Sequence, residues 1–141
     1  MDIERLRHIA DRHGGLFTSA HARSCGFSPA QITRRLEPSR RIWQRVWGPV
    51  LAEAGLKLTP SLRDRAVQLG VSGSVLAGPS AARAWGMPVE GAGVTWVAVN
   101  RRRLASPGVR FLREYVPARD WTLHRGARVT TPARTVFAPP R

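Results

Sequence analysis

Apolar residues recur at helical spacing at Ile3, Leu6, Ile9 and Ala10, and Gly14-Gly15 breaks the run, which predicts a first helix. Leu16-Phe17 reads as a brief extended link. Thr18 or Ser19 can cap a second helix through Ala20, Ala22 and Arg23, closed by Gly26. Ser28-Pro29-Ala30-Gln31 is a capping-box start, with a hydroxyl at the cap, proline at the first helical position and glutamine three residues on. The third helix is expected to run to about Glu37, because Pro38 disfavours helical geometry in the residue before it. Alternation over residues 41–47 then predicts a strand, Gly48-Pro49 a turn, and Val50-Leu51-Ala52 the returning strand. Three short helices followed by a two-stranded ribbon is the winged helix-turn-helix order, assigned to residues 1–54.

The pattern changes near residues 55–60, and residues 58–141 are expected to form a small mixed α/β module, making the fold class α+β. Leu62, Ala66 and Leu69 mark a helix closed by Gly70, and residues 80–85 a shorter one ending at Gly86. Residues 94–99 and 109–116 read as strands, and a hairpin is expected around Gly126. Thr131-Pro132 opens a final helix that Pro139-Pro140 cuts off. That helix is expected to lay Val136 and Phe137 against the sheet of the two preceding strands. There is no internal repeat and no low-complexity tract.

Composition narrows the picture. Hydrophobic residues are 43% of 141, enough for a core and too many for disorder. No apolar run approaches the roughly 18 residues of a membrane span. The start, Met1-Asp2-Ile3-Glu4-Arg5, is not that of a secretory signal, so a cytoplasmic location is expected. A single cysteine, Cys25, forms no intrachain disulfide and reads as a buried small hydrophobe. The formal net charge is +14, which favours polyanions such as nucleic acid. Lys57 is the only lysine, and a GC-rich genome alone produces such an arginine bias, so charge supports nucleic-acid binding without proving it.

On the third helix Ile32 and Leu36 share the face that must be buried, which leaves Gln31 and Arg34 on the opposite side and Arg35 on the flank. That is the layout of a helix that reads base edges in the major groove. Arg41, Trp43, Arg45 and Trp47 are expected on one face of the ribbon, and Arg40, Arg41 and Arg45 are placed to grip phosphates. The candidate duplex-DNA contacts are therefore Ser28, Gln31, Arg34, Arg35, Arg40, Arg41 and Arg45. Arg101-Arg102-Arg103 fits phosphate or an acidic partner as well as it fits a solvated loop.

Catalytic signatures are missing. His8, His13, His21 and His124 lack the spacing of helical metal pairs, and no Cys-x-x-Cys occurs. Lys57 follows no phosphate-binding glycine loop, and Gly91-Ala92-Gly93 lacks the third glycine of a dinucleotide fingerprint. Gly70-Val71-Ser72-Gly73-Ser74 has serine where a nucleophile elbow needs glycine. No enzyme activity, cofactor or metal is expected.

Three stretches carry a family resemblance. They are Gly14-Gly15, Gly26-Phe27-Ser28 and Trp43-Gln44-Arg45-Val46, then Ser80-Ala81-Ala82-Arg83-Ala84-Trp85-Gly86-Met87, then Thr130-Thr131-Pro132-Ala133-Arg134-Thr135. In that order the chain resembles the AbiEi-like antitoxins of type IV toxin–antitoxin systems, in the branch with an N-terminal winged helix. The resemblance implies a DNA-binding regulator that represses its own promoter and counteracts a nucleotidyltransferase-like toxin. Longer relatives continue beyond the third stretch, so a shortened copy is expected. Two other readings stay open: an interaction module that binds an acidic toxin without reading DNA, and the remnant of a larger nuclease-domain protein.

Overall fold

The computed structural model of the chain describes residues 1–90 and 93–137, without the side chain of Phe137. Gly91, Ala92, the Phe137 side chain and Pro139-Pro140, each of which entered an expectation above, lie outside the described residues. The fold is mixed α+β, with two sheets in two compact units, Met1–Leu58 and Thr59–Arg141.

In the first unit the order is α1 (Ile3–Asp11), β1 (Leu16–Thr18), α2 (Ser19–Ser24), α3 (Pro29–Arg35), β2 (Trp43–Trp47) and β3 (Val50–Glu53). Each helix starts on a side-chain cap. Asp2 accepts from Arg5 N, Thr18 from His21 N and Ser28 from Gln31 N, so the orphan amides of the first turns are satisfied locally. The amphipathic faces then converge. Leu6, Ala10, Phe17, Ala22, Cys25, Phe27, Ile32, Trp43 and Leu51 form one core, with Ile3, Ile9 and Leu36 packed against it. Phe17 and Phe27 both stand 5.0 Å from the Trp43 ring, in edge and tilted geometry.

Four expectations differ from the structure of this unit. Leu16-Phe17 is not a link but part of β1, which pairs antiparallel with β3 and completes a sheet ordered β1-β3-β2. The strand is too short for alternation to reveal it, and both apolar residues are buried. Arg41 is not in a strand: its φ of 50° puts it in the turn leading to β2. Nor do Trp43 and Arg45 share an environment, because Trp43 is buried and Arg45 exposed, and a bulge follows Arg45 before Trp47 pairs with Val50. The third helix also closes earlier than expected, with Leu36 as its C-cap.

The second unit runs α4 (Pro60–Gly70), β4 (Val75–Leu76), α5 (Gly78–Ala84), β5 (Thr95–Val99), β6 (Val109–Arg113), a 3-10 turn (Ala118–Asp120), β7 (Trp121–His124), β8 (Ala127–Thr130) and α6 (Pro132–Phe137). Its five-stranded sheet is ordered β6-β5-β4-β8-β7, parallel at β5–β6 and β4–β8 and antiparallel elsewhere. Arg125 and Gly126, at φ 51° and 83°, make the two-residue turn between β7 and β8. The two-residue strand β4 was not expected, yet it is central, and Leu76 is fully buried between Val97 and Val129.

A buried polar network ties this unit together. The Asp64 carboxylate on α4 accepts from the hydroxyls of Thr95 (2.7 Å) and Ser80 (3.3 Å) and from the Arg83 guanidinium. Ser80 in turn accepts from Trp96 N at 2.8 Å. Burial pushes the Asp64 carboxyl above its ordinary range, and the bonds from Thr95, Arg83 and Ser80 oppose that rise. Gln68 bridges to Ser74 and to Arg128 N, and Trp85 donates to Thr130 O at 2.8 Å. The expectation for α6 fails at Val136, which is 64% exposed; the inward residue is Thr135, bonded to Thr130 and Thr131.

Candidate nucleic-acid interface

Helix α3 and the β2–β3 hairpin are held by a small set of contacts. Ile32 and Leu36 face the core, so the exposed stripe of α3 runs through Ala30, Thr33 and Arg34. Arg34 is exposed. Arg35 lies on the flank with its guanidinium 5.0 Å from the Phe27 ring centre and 5.2 Å from that of Trp43, so it covers the core edge where α3 meets β2.

Ser28 and Gln31 are committed to each other. Ser28 Oγ accepts from Gln31 N at 3.1 Å, and Gln31 Oε1 accepts from Ser28 N at 2.7 Å. Both side chains therefore set where the helix starts, and Gln31 keeps only its NH2 for another partner.

Past the helix, Arg40 donates from Nε to Glu37 at 2.9 Å, an exposed pair of little energetic weight. Arg41 is exposed in the turn. Arg45 reaches across the hairpin turn to Gly48 O at 2.6 Å. Gly48 takes a φ of 50°, and Pro49 O accepts from Ser19 N at 2.9 Å, which straps the turn to the start of α2. The arginines are thus spread over one continuous stretch, 34–45, in three settings: Arg34 and Arg41 extended from the surface, Arg40 and Arg45 in local bonds, Arg35 stacked on aromatic rings.

Sequence reasoning overlooked Thr33, which offers a hydroxyl and a methyl from the exposed stripe beside Arg34. Its position follows from the Ile32–Leu36 spacing, but attention to charged residues passed over it. Glu4, Asp11 and Glu53 line a cavity of about 470 Å³ between α1 and the sheet, with Arg7 bonded to Glu53 at 2.9 Å and to Glu4 at 3.4 Å.

Among the described residues no group of three or more His, Cys, Asp or Glu side chains is arranged to hold a metal ion. No described helix is long and apolar enough to cross a membrane. Neither a protein-family model nor a curated protein matches the sequence.

Proposed function

We propose that residues 1–58 act as a winged helix-turn-helix that binds duplex DNA, with α3 in the major groove and the β2–β3 hairpin as a wing on the neighbouring backbone. The observation that carries this reading is the outward stripe of α3. Thr33 and Arg34 stand exposed on a helix whose other face is locked into an aromatic core, and the Arg45-bearing hairpin follows in the same short stretch. The order α1-β1-α2-α3-β2-β3, with a sheet ordered β1-β3-β2, supports the same reading. In it Arg34 and Thr33 contact base edges, Arg40, Arg41 and Arg45 contact phosphates, and Ser28, Gln31 and Arg35 fix the helix.

The biological role rests on the resemblance to AbiEi-like antitoxins: a cytoplasmic, non-enzymatic regulator that represses its own promoter and counteracts a nucleotidyltransferase-like toxin. A gel shift on the DNA upstream of its own gene tests the first part. Arg34→Ala should cost about 1–3 kcal/mol on the preferred duplex and little on random DNA, whereas Arg41→Ala should weaken both about equally. If the two variants behave alike, α3 is not the reading element.

A further inference from the structure

Strand β6 is one edge of the five-stranded sheet, and among the described residues no strand pairs with its outer side. The ladder fixes which backbone groups are left over. Thr95 N donates to Gly108 O, while Trp96 O accepts from Ala77 N on the other side of β5. In a parallel pair this alternation uses Arg110 and Leu112 of β6 against β5, and turns the N–H and C=O of Val109, Phe111 and Arg113 outward. Val109 N is taken by Ser106 O, so the open groups belong to Phe111 and Arg113.

The surroundings of this edge have a definite chemistry. Five arginines, 101, 102, 103, 110 and 113, lie within residues 101–113, which contain no acidic residue, and all five are exposed. The nearest acid, Glu114, is paired with Arg134 at 3.5 Å. A groove of about 400 Å³ runs beside the strand, lined by Arg103, Arg110, Phe111 and Arg113 among others. Two large apolar side chains in the same stretch of chain are exposed, Leu104 at 93% and Tyr115 at 73%.

We propose that the open edge of β6 is a docking strand for an extended acidic segment of a partner protein, added to the sheet through backbone hydrogen bonds. The bare N–H and C=O of Phe111 and Arg113 match a peptide backbone, and carboxylates on alternate positions share one face, either that of Phe111 with Arg103 and Arg113 or that of Arg110. A second copy of this chain is a poor occupant, because pairing β6 with itself brings the same arginines together. Single-stranded nucleic acid fits less well, because it has no backbone amides to pair in register with the open N–H and C=O of Phe111 and Arg113. Arg110 lies 5.4 Å from the Trp96 ring centre and Arg103 5.9 Å from that of Phe111, so the two rings on the strand pair are already covered. This inference does not rest on the duplex-binding reading, which concerns residues 1–58.

The test uses the full chain and a short synthetic peptide of alternating Glu and Val, followed by fluorescence anisotropy and amide hydrogen exchange. The peptide should bind and slow exchange at Phe111 and Arg113. Arg110→Glu with Arg113→Glu, both exposed, should weaken it at least about tenfold. N-methylating alternate amides of the peptide should abolish binding without touching the protein. Equal binding of the N-methylated peptide would reduce the effect to charge attraction and overturn the docking strand. So would unchanged exchange at the two amides, their protection by self-association, or their stronger protection by a single-stranded oligonucleotide.

Discussion

In residues 1–58 the buried side chains are aliphatic and aromatic, gathered round Trp43, whereas every buried polar side chain among the described residues lies in residues 59–141. Asp64, Gln68, Ser74, Ser80, Thr95, Thr130 and Thr135 all belong to the second unit. The first region is organised by dispersion and area burial, which depend on volume more than direction. The second is organised around donors and acceptors that must meet at hydrogen-bond distance, with a carboxylate shared by three elements. One region therefore tolerates changes of shape that preserve volume, and the other does not tolerate the loss of a single acceptor.

Matched apolar substitutions in the two units should have very different costs. Asp64→Leu removes the carboxylate that pairs with the largely buried Arg83 guanidinium and accepts from the Ser80 and Thr95 hydroxyls. It should destabilise residues 59–141 by about 3–5 kcal/mol. Leu51→Met, in the aromatic core, should cost less than about 1.5 kcal/mol. Hydrogen exchange resolved by residue on each variant gives both values, and similar costs would dissolve the distinction. A smaller effect is expected at the helix starts. Ser28→Ala removes the hydroxyl that accepts from Gln31 N, leaves the backbone bond from Ser28 N to Gln31 Oε1, and should cost about 1 kcal/mol, seen as faster exchange over α3.

The smallest effect is pH-dependent. His21 sits at the third position of α2, where Nδ1 accepts from Thr18 N at 3.1 Å, and burial lowers its pKa from 6.5. As the pH falls the unfolded chain takes up this proton first. The contribution of neutral His21 is thus present above pH 6.5 and is lost as the pH falls through the lower folded value. Residues 1–58 should weaken below pH 6.5, and His21→Gln should flatten that part of the profile when unfolding is followed across pH.

The same contrast explains what the sequence made legible. Helical spacing, caps and turn glycines located α1, α2, α3, α4 and α5 and the β7–β8 hairpin, because those signals are local. The strand β1 and the central two-residue β4 were hidden, since their places depend on partners far along the chain. Asp64 gave no warning in sequence of its buried position, because its hydroxyl and arginine partners stand 16 to 31 residues away. At the candidate interface the arginines were visible, but their settings were not. Only the packed core shows that Arg35 lies over Phe27 and Trp43, whereas the place of Thr33 beside Arg34 already follows from the Ile32–Leu36 spacing.

If the stretch 34–45 grips duplex DNA, the affinity for duplex must depend steeply on salt. With Arg40, Arg41 and Arg45 on the backbone, about three phosphates are neutralised, and log affinity should fall with log salt at a slope of about −3. Arg41→Ala should make that slope shallower by about 1. Affinity that barely changes from low to high salt, or a slope untouched by Arg41→Ala, would contradict the claim.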